Sequence, residues 1–245
     1  MTKIRWPLAL LTLVYILNFV DRQLVAILGQ PMKAELGLSD RQLGLLSGVA
    51  FALFYTTLGL PIARVAERRS RVGVIAVSLG LWSAATAMCG LARTVPQLVL
   101  ARLGVGLGEA GYSPTAQSLI ADMVPPERRA TALSLFSLGI PAGMLIGAIA
   151  GGWLAQSLGW RMAFIWLGVP GVALAFVVAL VLRDPRPTAV SIDHPSLREV
   201  ALQLWRAPGF MHIAAGAAVY VVILGLLYAR TIAKILRSRL SKSAA

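Results

Sequence analysis

The sequence predicts an all-α membrane protein: a six-helix transmembrane bundle made as a 3+3 inverted repeat, with a seventh hydrophobic helix after it. Three observations lead there. Of 245 residues, 58% are hydrophobic and 13% charged, whereas a soluble domain of this length carries roughly 25% charged residues. The apolar residues gather into blocks, and a helix needs about 20 of them to cross a hydrocarbon core ~30 Å thick. Lysine and arginine also alternate from rich to poor between successive loops, as they do around membrane spans.

The blocks are Trp6–Gly29, Gly44–Ala63, Val72–Ala92, Val95–Ile120, Ala132–Gln156, Met162–Leu182 and Gly209–Tyr228. The first is too long for the apolar core of a signal peptide and carries charges that such a core excludes. Residues 1–183 form the six-helix unit, and 184–207 a linker on the cytoplasmic side. The linker opens Arg-Asp-Pro-Arg-Pro, which cannot continue a helix. Ser196 and Glu199 then read as a capping box for a short interfacial helix. Residues 208–228 are the seventh hydrophobic helix and 229–245 a basic amphipathic tail.

With the N-terminus in the cytoplasm, the inner segments of the first six helices hold twelve Lys and Arg residues and the outer loops four: Lys33, Arg41, Arg93 and Arg161. That asymmetry sets the orientation. It also absorbs most of the net charge of +13, so no nucleic-acid partner is implied. The tail breaks the pattern. Arg230, Lys234, Arg237, Arg239 and Lys242 stand without an acid among them. Either this is a basic interfacial helix or the seventh block does not fully cross.

A repeat runs through the unit. Ser39-Asp40-Arg41 opens the second helix and Pro126-Glu127-Arg128 the fifth, the acid–arginine pairs lying 87 residues apart. Three helices repeated once in opposite sense is a transporter construction.

Charged residues inside a membrane are costly and mark function. Asp21 and Arg22 lie in the first helix, Arg102 and Glu109 in the fourth. At a rise of ~1.5 Å per residue, Asp21 lies about 22 Å from the inner end and Arg102 about 10 Å from the outer end, at nearly one depth. Glu109 sits two turns from Arg102 on the same face. The expectation is one polar cavity lined by these two helices and serving substrate and protons, with Glu109 the proton carrier and Asp21 the structural counter-ion, held ionised by adjacent Arg22 and same-depth Arg102. Asn18 shares that face and Tyr15 lies one turn earlier, either in the cavity or at a helix interface. In the fifth helix Gly139, Gly143, Gly147 and Gly151 form a ridge that permits close helix approach, and Pro141 adds a kink.

Enzyme chemistry finds no support. His194 and His212 have no second ligand at metal spacing, and Ser113 has no histidine partner in reach. No metal or cofactor is implied. Cys89 is the single cysteine.

Residues 63–72 read Ala-Arg-Val-Ala-Glu-Arg-Arg-Ser-Arg-Val, which by charge alone is a solvated basic turn on the cytoplasmic side. This resembles the signature loop of the major facilitator superfamily, Gly-x-Leu-Ala-Asp-Arg-x-Gly-Arg-Lys, with Ala66, Arg68 and Arg71 matching and Glu67 in place of Asp. The segment Arg102 to Gly108 resembles the family's Arg-x-x-x-Gly-x-Gly motif. Asn18 to Arg22, together with Gly108, Glu109 and Ala110, is similar to the Spinster-like branch. The Gly147 to Gly152 segment resembles the antiporter motif, but Ala148 replaces its proline, which argues against antiport.

The resemblance implies the N-terminal half of a transporter in the bilayer, in a bacterial inner membrane. The loop at Ala66, Glu67, Arg68 and Arg71 would gate the cytoplasmic side, and the substrate would be lipid-like or a small organic anion. A full transporter of this kind has twelve helices. The expected partner is therefore a second half or a homodimer, and the other reading is a truncated remnant or membrane scaffold.

Overall fold

The computed structural model describes residues 2–48, 70–185 and 197–207, with shorter stretches at 57, 61–62 and between 209 and 230. The chain forms two compact units, Met1–Val190 and Ser191–Ala245. The described residues of both are helical or in connecting turns.

In the first unit α1 spans Thr2–Leu36, α2 Asp40–Ser47, α3 Arg71–Leu91, α4 Val95–Met123, α5 Pro126–Ser137 and α6 Gly139–Val181. Local chemistry sets their ends. α1 stops at Gly37, whose φ of 66° suits only a residue without a β-carbon. A capping box on Ser39 and Gln42 opens α2, and Ser70 caps α3 by accepting from the Gly73 amide at 3.3 Å. Between α5 and α6 lies only Leu138, whose φ and ψ of −61° and −19° stay helical. Pro141 has no N–H to offer the Ser137 carbonyl, so one helical hydrogen bond is missing there.

Three apolar stretches are long enough to cross a membrane: Arg5–Leu36, Arg71–Leu91 and the run Pro126–Val181 of 56 residues. At ~1.5 Å per residue the last would reach more than twice across a hydrocarbon core. It reverses at Gly159, whose φ of 82° breaks the helix. α4 is 29 residues long and less apolar, because it carries Arg102 and Glu109. Most of the expected second helix, Gly44–Ala63, lies outside the described residues.

Glycine contacts show which way the helices run. A β-carbon at Gly139, Gly143, Gly147 or Gly151 would meet Tyr15, Ile16, Val20 or Leu24 in turn. The first part of α6 is therefore parallel to α1. After Gly159 the order inverts: Gly168 faces Ala87, Gly171 faces Ser83 and Gly80 faces Ala175, so this part is antiparallel to α3. Gly104 and Gly108 bring α4 against Ala85 and Trp82 of α3. In a bilayer, where lipid is as apolar as leucine, such close backbone approach and dispersion hold helices together. The outward faces carry exposed apolar side chains such as Leu100, Ile149, Phe176 and Leu180.

Each end of this unit is tied by one arginine. Arg71, at the start of α3, reaches Asp122 at the end of α4 (2.8 Å) and Asp184 beyond α6 (2.6 Å). At the other end Arg161, just past Gly159, reaches Glu35 at the end of α1 (2.9 Å) and the Gly90 and Ala92 carbonyls at the end of α3. Glu35 also accepts from the Trp160 indole at 2.6 Å. Glu35 and Asp122 are 87 residues apart, Arg71 and Arg161 90. The inverted repeat thus places the same arginine-to-carboxylate tie at both ends, each joining one three-helix repeat to the other.

In the second unit α7 spans Leu197–Arg206, and an apolar helix is described over Gly209–Tyr220. Ser196, the expected cap of α7, and residues 231–245 of the basic tail lie outside the described residues.

Candidate functional site

Asp21 and Arg22 are adjacent on α1, so their side chains leave it about 100° apart and cannot share a partner easily. Arg22 turns to α4, where its Nε donates to Glu109 Oε2 at 2.8 Å. Its guanidinium also lies 5.2 Å from the Phe19 ring centroid, inside cation–π range. The Glu109 side chain is wholly buried, while 32% of the Arg22 side chain is exposed. Arg22 is the member of the pair that reaches the bundle surface.

Asp21 turns the other way and is buried, 3% exposed. It faces Arg102 and Glu109 of α4 and Thr86 and Trp82 of α3. The Thr86 hydroxyl and Trp82 indole N–H lie beside it outside full hydrogen-bond geometry. No ion pair among the described residues closes on Asp21. Arg102, 5% exposed, is directed inward, and Asn18 lies beside Glu109. Asn18, Asp21, Arg22, Arg102 and Glu109 thus form one group between α1, α3 and α4.

This geometry corrects one expectation. Adjacent Arg22 and same-depth Arg102 were expected to hold Asp21 ionised, with Glu109 carrying the proton; Arg102 does face Asp21, but Arg22 does not. The 2.8 Å bond instead joins Arg22 to Glu109, because the helical twist carries the neighbouring side chains to different faces. Tyr15 also stands apart from the charges. It stacks on Phe136 with ring centroids 4.2 Å apart and meets Phe19 edge-on at 5.2 Å. Tyr112 lies 6.0 Å from it and donates its hydroxyl to the Leu11 carbonyl, pinning α4 to α1. These rings close the bundle on the N-terminal side of the charges.

Of the expected gating loop, Ala66, Glu67 and Arg68 lie outside the described residues. Arg71 is 2% exposed, not part of a solvated turn. It makes hydrogen bonds to Asp184, Asp122 and the Ser118 carbonyl. A buried guanidinium needs such complete pairing. Gly139, Gly143, Gly147 and Gly151 all face α1, while a β-carbon at Gly152 would meet nothing within 4 Å.

Sequence reading missed α3 as the third wall and both arginine ties. Trp82 and Thr86 are ordinary in an apolar helix, and nothing in their spacing points to Asp21. Asp122 and Asp184 carried a usable signal: lone acids at helix ends in a strongly basic chain.

Comparison with known proteins places these features in context. The family model described as Major Facilitator Superfamily matches residues 11–237. An MFS-type efflux pump of Mycolicibacterium smegmatis is 38% identical over 213 residues, covering 85% of this chain and 49% of the pump. Protein spinster homolog 1 of Homo sapiens is 30% identical, covering 94% of this chain and 46% of that protein. A solved bacterial homolog of the human lysosomal transporter Spinster, inward-facing and unoccupied, matches with TM-score 0.69 and 35% identity, covering 83% of this chain and 48% of that one. The chain spans about half the length of the curated relatives it matches.

Proposed function

Because the chain belongs to the Major Facilitator Superfamily, we propose that it forms the N-terminal half of a proton-coupled secondary transporter for a small organic or lipid-like solute. The observation that carries this reading is the buried group around Asp21. Glu109 already has its cation in Arg22. Asp21 faces Arg102 without closing an ion pair and is the carboxylate able to take up and give back a proton. A carboxylate buried without function is costly in a bilayer, which is why such residues mark ion and proton paths. Arg22, partly exposed beside Glu109, is the group that meets an anionic portion of the solute. Glu67 and Arg68 serve the cytoplasmic gate, with Arg71 as its buried anchor. The basic inner loops support a cytoplasmic N-terminus in a bacterial inner membrane.

A second half, or a second copy, completes the path. The test uses proteoliposomes loaded with a pH-sensitive dye and holding the chain alone or with a relative's C-terminal half. A lysophospholipid and a small organic carboxylate are offered as solutes. Solute-dependent lumenal pH change that is lost in Asp21→Asn supports the proposal. The rival reading is a membrane scaffold that moves nothing. Solute binding without pH change in every combination would decide for that rival.

A further inference from the structure

Between α3 and α4, beside the connection from Leu91 to Val95, lies an open groove of about 700 Å³. Its floor is made of short side chains, Ala85, Ala101 and Gly104. Met88 and Leu100 stand along it and are 59% and 68% exposed. Arg93 and Gln97 line the end nearest the connection.

Depth gives the groove its meaning. α3 has 21 residues and so extends about 31 Å at the helical rise, the thickness of a hydrocarbon core. The last turns of α3 then lie within one leaflet, and Arg93, two residues past its end, lies in the headgroup layer. Arg93 is exposed. Its backbone N–H donates to Gln97 Oε1 at 2.8 Å, but its guanidinium has no carboxylate among the described residues. The described acids at this end of the bundle are taken: Glu35 by Arg161 and Trp160, and Asp40 by Lys33. An apolar trough within a leaflet, ending at an uncompensated cation in the headgroup layer, matches an amphiphile with an acyl chain and an anionic head. Basic pockets between transmembrane helices recognise lipid head groups in this way, and a guanidinium meets a phosphate through paired N–H donors.

We propose that this groove is a phospholipid-binding site, with one acyl chain between α3 and α4 and the phosphate on Arg93. The site is separate from the Asp21 group and does not depend on a transport activity.

The test is native mass spectrometry of the full chain in mild detergent after delipidation and titration with phosphatidylglycerol. Dioleoylglycerol, which lacks the phosphate, and oleate, an anionic single chain, serve as comparison ligands. The expected result is one retained phosphatidylglycerol per chain. Arg93→Gln should weaken retention about tenfold, and Arg93→Lys should restore part of it. Dioleoylglycerol should be indifferent to Arg93→Gln. Ala84→Phe, at an exposed groove residue, should reduce retention of both two-chain lipids. Unchanged thermal unfolding of the variants would show that the fold is intact. Phosphatidylglycerol retention unchanged by both Arg93→Gln and Ala84→Phe would overturn the proposal. Oleate binding as tightly as phosphatidylglycerol would assign the groove to free fatty acids instead. A change from dimer to monomer in Ala84→Phe would make this face a contact between copies.

Discussion

Arg22 and Glu109 are 87 residues apart in the chain and 2.8 Å apart in the fold. The same 87-residue offset relates Asp40 to Glu127 at the starts of the second and fifth helices, and Glu35 to Asp122 at the ends of α1 and α4. Arg22 and Glu109 are therefore equivalents in the two repeats, and a contact between equivalents lies on the axis relating them. The pair joins the repeats at their centre, while Arg71 and Arg161 join them at the two ends. Asp21, next to the pair but turned to α3, is left outside it.

Asp21→Asn should abolish proton-driven accumulation of the solute while leaving binding or downhill exchange measurable, because it removes only the exchangeable proton. Glu109→Gln should instead weaken solute affinity, since the charge opposite Arg22 Nε is removed, and should leave the pH profile of uptake in place. Uptake by the completed transporter measured across external pH for both variants would separate them. Proton-driven accumulation that survives in Asp21→Asn would return the role to Glu109.

The glycine ridge gives a stability test. A β-carbon at Gly143 would sit 2.5 Å from the Ile16 carbonyl oxygen and 2.7 Å from the Phe19 β-carbon. Backbone cannot yield there as a flexible side chain could, so Gly143→Ala should cost about 1–3 kcal/mol of stability. Gly152→Ala meets nothing within 4 Å and should leave unfolding unchanged. Equal unfolding midpoints for the two alanine variants would show that the ridge is not tightly packed.

The two arginine ties share a geometry but not a burial, and the difference should be measurable. Arg71 is 2% exposed, and removing it takes a buried cation from the Asp122 and Asp184 carboxylates. Arg71→Ala should therefore destabilise by about 3 kcal/mol or more. In the Arg161 tie the Glu35 side chain is 51% exposed, and water screens what it gains. Glu35→Gln should shift the unfolding midpoint far less, a ranking that thermal unfolding in detergent checks directly.

Orientation is open to labelling. In a Cys89→Ser background, a cysteine at Arg198 should react with a membrane-impermeant reagent only from the cytoplasm, and one at Arg41 only from outside. The reverse pattern would invert the arrangement read from the basic loops.

The fold was largely legible because its signals are local. Block length gives spans, and glycine every four residues gives a close-packed face. The inverted repeat was readable in outline from the 87-residue offset. The intramembrane charges were visible for a related reason: a residue that lipid penalises stands out in an apolar run.

What each charge touches was not legible. From the order of residues, Arg22 belonged beside its neighbour Asp21, and Arg71 belonged to a solvated turn. Tertiary structure decided otherwise on both counts. A turn of 3.6 residues sends adjacent side chains to different helices. Arg71 finds Asp184 only because helices far apart in sequence end at the same level. Trp82 and Thr86 acquire a role solely by facing Asp21 across the interface with α3. The sequence by itself determined that the chain enters a membrane, which blocks are long enough to span it and which residues are too costly to be there without a reason. Only the packed bundle decided how those residues pair, because pairing depends on helix rotation and level, and those follow from side-chain contacts between segments distant in the chain.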